Sequence, residues 1–179
     1  MAMLPKRHKR ELRPLDGEGL ERLALFYAGR YAVTRAKLRQ YLQRKLRERG
    51  WAGEGEPPVE RLVERFAALG YVDDSAFAAA RADALTRRGY GLRRVEDALR
   101  AAGIEEEDGA DAREAAGAEA WWAALRFAER KRIGPYAEQA PERPGREKAL
   151  AAMLRAGHPL ELARRIIHAA PGEVPELEE

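Results

Sequence analysis

The sequence predicts an all-α protein, and three observations carry that prediction. Apolar residues recur at three-to-four spacing in short stretches, and a glycine closes most of the stretches. The composition is the third: 45% of the 179 residues are hydrophobic, only 7% are aromatic and 35% are charged. Alanine and arginine dominate, beside one serine (Ser75) and two threonines (Thr34, Thr86). That mixture suits charged helices packed through narrow stripes and suits sheets poorly.

Residues 1–16 form a basic, proline-punctuated stretch, expected as a flexible tail. Leu20, Leu23, Ala24, Tyr27 and Tyr31 predict a first helix over 20–30. Thr34 is placed to cap a second, in which Leu38, Leu42 and Leu46 recur every four residues until Gly50. Val59, Leu62, Val63, Phe66 and Leu69 give a third stripe, ending at Gly70.

Gly70–Ile104 is the best-punctuated part of the chain. Asp73 and Asp74 stand where a cap belongs, and Phe77, Arg81, Ala84, Leu85 and Arg88 recur at helical spacing. Gly89-Tyr90-Gly91 breaks that helix. Leu92, Val95, Leu99 and Ala102 then predict another, stopped by Gly103. Residues 105–118 predict the weakest helix, because Gly109 and Gly117 interrupt it and no large apolar residue supports it. Trp121, Trp122, Leu125 and Ala128 open a third group, with core the better reading for the tryptophans. After the proline-rich loop 134–145, helices are predicted over 146–156, stopped by Gly157, and from Pro159 through Ile167. Gly50, Gly103 and Gly157 lie 53 and 54 residues apart, with Leu46, Leu99 and Met153 four residues before them. This spacing predicts three tandem three-helix repeats over 17–70, 71–118 and 119–171, followed by an acidic tail, 172–179.

The stretch Gly-Tyr-x-Asp-Asp-x-x-Phe-Ala, the arginine-rich turn into Gly-Tyr-Gly, and Arg-Val-x-x-x-Leu-x-x-x-Gly-Ile together resemble the RecX family of recombination regulators. The resemblance runs in helix order from about residue 20 to about 170 and is tightest over 70–104. Leu92 departs from it, standing where the family often has proline. The resemblance implies three tandem three-helix repeats in a curved, elongated molecule. It also implies binding to the bacterial RecA recombinase on single-stranded DNA, with inhibition of ATP hydrolysis and strand exchange and modulation of recombination and DNA repair.

The remaining chemistry is sparse. With no cysteine there is no disulfide or thiolate metal site, and a cytoplasmic protein is expected. No signal-peptide core or membrane-spanning run is evident, so no membrane partner is expected. Asp73 and Asp74 diverge on entering a helix and read as structural. His8, His158 and His168 lack a ligand set, and Ser75 lacks a neighbouring histidine. No phosphate-cradling glycine loop occurs, so we expect neither enzyme nor cofactor.

Charge is the positive signal. The net charge is only +3, yet residues 30–49 hold eight Lys/Arg against one acid, and residues 105–120 hold seven acids against one arginine. The candidate partner-binding residues are Arg35, Lys37, Arg39, Arg44 and Lys45, then Arg81, Arg87, Arg88, Arg93 and Arg94 with Tyr90 among them. Such a stripe matches a recombinase filament or single- or double-stranded DNA, and the pattern does not separate them. The chain is expected to be a monomer. A helix-turn-helix DNA-binding protein, transcriptional or architectural, is the alternative; the scarcity of glutamine and the lack of asparagine argue against it.

Overall fold

The computed structural model describes residues 13–176; most of the basic N-terminal stretch, with His8, and the last three residues lie outside them. Among the described residues there are nine α-helices, one short 3-10 turn and no strand beyond a single bridge between Leu15 and Trp51. The chain divides into two compact units, 1–72 and 73–179.

In the first unit, α1 (Gly17–Arg30) begins earlier than its apolar stripe, because the Asp16 carboxylate accepts the Gly19 N–H at 2.7 Å. The Thr34 hydroxyl caps α2 (Arg35–Arg49) by accepting from the Lys37 N–H at 3.2 Å. α3 (Val59–Ala68) completes the unit. Leu20, Ala24, Val33, Leu38, Leu42, Val63 and Phe66 fill its core. Leu15 belongs to that core as well: it is buried, and its backbone exchanges hydrogen bonds with Gly50 and Ala52 at 2.9 and 2.8 Å.

The second unit holds α4 (Asp74–Arg87), α5 (Leu92–Ala102), α6 (Ala110–Ala118), α7 (Ala120–Lys131), α8 (Arg143–Arg155) and α9 (Leu160–His168). Asp73 is the cap of α4, its carboxylate accepting the Ala76 N–H at 2.8 Å, while Asp74 is buried in the first turn. The inward face of α4 is Ala78, Ala82 and Leu85; Phe77 sits half-buried at its edge and Arg81 is exposed. That face meets Ala112 and Ala116 of α6. Small side chains let two helices approach closely, and this packing supports a helix of only nine residues that is alanine-rich but interrupted by Gly117 and too short to persist alone. A second cluster joins Trp121, Leu125, Phe127, Met153, Ala163, Ile166 and Ile167. Trp121 is core, while its neighbour Trp122 is 53% exposed. α8 starts three residues before its predicted onset, since Pro144 sits in the first turn, where a missing N–H costs nothing.

The glycine stops work through one device. After α3, α4, α5 and α8 the chain turns at Gly70, Gly89, Gly103 and Gly157, all at positive φ (74°, 75°, 73° and 92°). In each, the next residue's N–H returns to a carbonyl five positions back: Tyr71 to Phe66, Tyr90 to Leu85, Ile104 to Leu99 and His158 to Met153. Gly50 differs: its φ of 82° comes with an extended ψ of 172°, leading into the Leu15 bridge.

Candidate partner-binding surface

The basic residues of α2 fall on two faces. Arg35 and Arg39, four apart, lie on one; Lys37, Arg44 and Lys45 lie around Tyr41 on another. The Arg39 Nε lies 2.8 Å from both carboxylate oxygens of Glu60 on α3, so this arginine is held within its own unit. Lys45 meets Glu48 at 2.6 Å, and Arg44 approaches the same carboxylate at 3.7 Å. The Lys45 hydrogen bond and the charges of Lys45, Arg44 and Arg47 hold the Glu48 carboxyl below its ordinary range. Arg44 and Lys45 also stand over the Tyr41 ring, 5.6 and 5.9 Å from its centroid.

The second cluster is built around the turn Gly89-Tyr90-Gly91. A Cβ on Gly89 would lie 2.8 Å from the Phe127 nitrogen of α7, and one on Gly91 only 2.4 Å from the Gly157 carbonyl oxygen. The two glycines therefore admit two other backbone segments, one on each side of the turn. The Gly91 N–H donates to the Ala156 carbonyl at 2.9 Å, and Arg130 of α7 donates to the Arg88 carbonyl. His158 is fully buried beside the turn and lies 3.1 Å from the Gly89 carbonyl through Nε2. A carbonyl only accepts, so Nε2 carries the proton. Burial pushes the imidazole down to about 4, outweighing that hydrogen bond, and the ring packs on Phe127 with centroids 5.5 Å apart. His158 is a neutral packing histidine. Among the described residues, no group of three or more His, Asp or Glu is placed to hold a metal ion.

Between the two glycines, Tyr90 is half-buried and Arg88, Arg94 and Arg130 surround its ring at 5.6, 6.0 and 5.9 Å. All three guanidinium-bearing residues are exposed, as is Arg93. Arg87 is exposed too and pairs with Asp83 at 2.7 Å, one turn back on α4. Of the predicted set, Arg88, Tyr90 and Arg94 come together, while Arg81 lies out along α4. Arg130 was not predicted. It sits 40 residues downstream of Tyr90, and only tertiary packing brings α7 to the turn. The clusters on α2 and at the turn belong to different units.

Fold and site together define an all-helical protein whose conspicuous surface features are arginine clusters gathered on tyrosines. The chain is 33% identical over 162 residues to a protein of Myxococcus xanthus (strain DK1622) called regulatory protein RecX, covering 85% of this chain and 86% of that one. It belongs to the RecX family of regulatory proteins. Its fold is similar to that of two crystal structures: RecX from Lactobacillus salivarius (TM-score 0.61, 18% identity, 84% of this chain and 93% of that one) and a structure described as regulatory protein RecX (TM-score 0.58, 21% identity, 84% and 72%). No protein-family model matches the chain. No described helix is long and apolar enough to cross a membrane.

Proposed function

We propose that this chain is a non-enzymatic cytoplasmic regulator that binds the RecA recombinase–single-stranded DNA filament. By binding, it restrains ATP hydrolysis and strand exchange, and so modulates recombination and DNA repair. Membership of the RecX family carries the reading, and the exposed arginines around Tyr90 supply a surface suited to it. We read the helices as three tandem three-helix repeats, a reading that rests on the nine described helices and on the 53- and 54-residue spacing of Gly50, Gly103 and Gly157. The two basic clusters then act as separate arms. Each adheres weakly, and a filament offers both arms partners at once, so the second contact forms at high effective concentration.

The test is charge reversal at Arg87, Arg88 and Arg94, and separately at Arg35, Lys37 and Arg39, with ATP turnover of preformed filaments measured at two salt concentrations. Each triple variant should inhibit less than the parent, keep a residual grip, and show a weaker salt dependence. Equal inhibition by all three proteins would refute the assignment of these clusters.

A further inference from the structure

The first unit carries a second kind of surface, which charge alone does not reveal. Four aromatic rings and three cations follow one another from the end of α1 onto α2. Arg30 stands between Phe26 and Tyr31, its guanidinium carbon 5.9 and 5.8 Å from their ring centroids. Tyr31 meets Tyr27 at 5.7 Å, tilted by 57°. Tyr27 stacks on Tyr41 at 4.1 Å with the planes 6° apart. Arg44 and Lys45 close the row over Tyr41.

The inner pair, Tyr27 and Tyr41, is half-buried against the core, and folding accounts for it. The outer pair is different: Phe26 is 58% exposed and Tyr31 53% exposed, so each keeps ring surface in water beside Arg30. Exposed π-faces alternating with cations are what an unpaired nucleic acid strand needs, since bases stack on rings and phosphates sit beside guanidinium groups. A duplex hides its base faces and has no use for the rings. We infer that the row Phe26–Arg30–Tyr31, backed by Tyr27, Tyr41, Arg44 and Lys45, is a stacking platform for single-stranded nucleic acid. This site lies outside the arginine cluster at Tyr90 and shares only Arg44 and Lys45, both drawn to Glu48, with the basic cluster of α2; its exposed core, Phe26–Arg30–Tyr31, is separate, and the inference does not depend on the filament reading.

The experiment uses the full chain and a fluorescein-labelled oligothymidylate, with a mixed-sequence duplex of the same length beside it and no recombinase present. Phe26→Leu/Tyr31→Leu keeps apolar bulk and removes both π-faces, so its melting temperature should stay at the parental value. Its affinity for oligothymidylate should fall about tenfold or more, while duplex affinity stays unchanged. Phe26→Tyr/Tyr31→Phe should restore single-strand binding. The slope of affinity against salt should be unaltered in the leucine variant and reduced in Arg30→Gln, because the ring contact releases no counterions and the arginine contact does. No single-strand binding by the parent, parental affinity in the leucine variant, or equal loss for single strand and duplex would each overturn the platform. So would a leucine variant that binds oligothymidylate normally but no longer restrains filaments, since the rings would then be a protein contact. The filament assay stays independent: a parent that inhibits filaments but ignores oligothymidylate refutes the platform alone.

Discussion

Substituting Gly91 by alanine should unfasten the second unit at one point. Gly91 has φ −81° and ψ 171°, a conformation open to any residue, so the substitution brings no backbone strain of its own. Its cost is space. The added methyl would lie 2.4 Å from the Gly157 oxygen, 2.6 Å from the Gly157 carbonyl carbon and 2.8 Å from the His158 nitrogen. All three are backbone atoms, so no side-chain rotation relieves the clash, and the turn must separate from the α8–α9 connection. Overpacking typically costs about 1–3 kcal/mol, and an obstruction by main chain belongs at the upper end of that range. For a chain of this length, about 3 kcal/mol corresponds to a fall of about 6–12 °C in Tm. Gly70→Ala is the control: φ there is +74° and nothing lies within 4 Å, so only the left-handed conformation is penalised, by about 1–2 kcal/mol. Urea denaturation gives the magnitudes, and amide exchange gives the location. Gly91→Ala should weaken protection in α4–α9 and leave α1–α3 unchanged. An unaltered Gly91→Ala midpoint, or a larger loss for Gly70→Ala, would show that the close approach of these segments carries no stability.

Three other outcomes follow from the packing. Leu99→Ala should cost about 2–5 kcal/mol, since Leu99 is fully buried, whereas the half-buried Phe77 should cost less on truncation; thermal melts of both variants settle the order. Asp73→Ala should lose about 0.5–2 kcal/mol through the missing cap while filament inhibition is retained; loss of inhibition at unchanged stability would make Asp73 a contact residue. His158 stays neutral in the fold down to about pH 4, whereas the unfolded chain takes up its proton near pH 6.5. Its neutral burial is therefore compatible with full stability above pH 6.5, and stability falls as pH drops from there to about 4. The loss should reach roughly 3 kcal/mol, and His158→Phe should flatten that part of the profile in urea titrations at neutral and acid pH.

Sequence reasoning reached what is written locally. Thr34 and Asp73 cap as expected, and Gly70, Gly89, Gly103 and Gly157 turn the chain where the apolar stripes end, because caps and left-handed turns are settled within a few residues. Asp16 is equally local, yet the turn it caps, Gly17-Glu18-Gly19, holds no apolar residue ahead of Leu20, so the stripe alone starts α1 too late. The inward face of α4 was set one residue off, because among alanines the large Phe77 draws attention away from Ala78 and Ala82. Arg130 beside Tyr90 and the stacking of Tyr27 on Tyr41 are contacts between helices, and no spacing along the chain announces them.

The alanine face between α4 and α6 has a consequence for how this chain tolerates change. Ala78, Ala82, Ala112 and Ala116 are all buried, and each contributes one methyl group, so little remains to be lost by truncation beyond about 1 kcal/mol of helix propensity on going to glycine. Enlargement is the dangerous direction there: a valine or leucine has no hollow to enter and must drive the helices apart. Around Met153 and Ile166 truncation carries the larger loss instead, because long buried side chains leave cavities when shortened. A saturation library read out by protease resistance should therefore separate the two halves of one unit by the sign of the volume change that costs each of them most. Shortening substitutions would be removed chiefly from around Met153 and Ile166, and enlarging ones chiefly from the α4–α6 face.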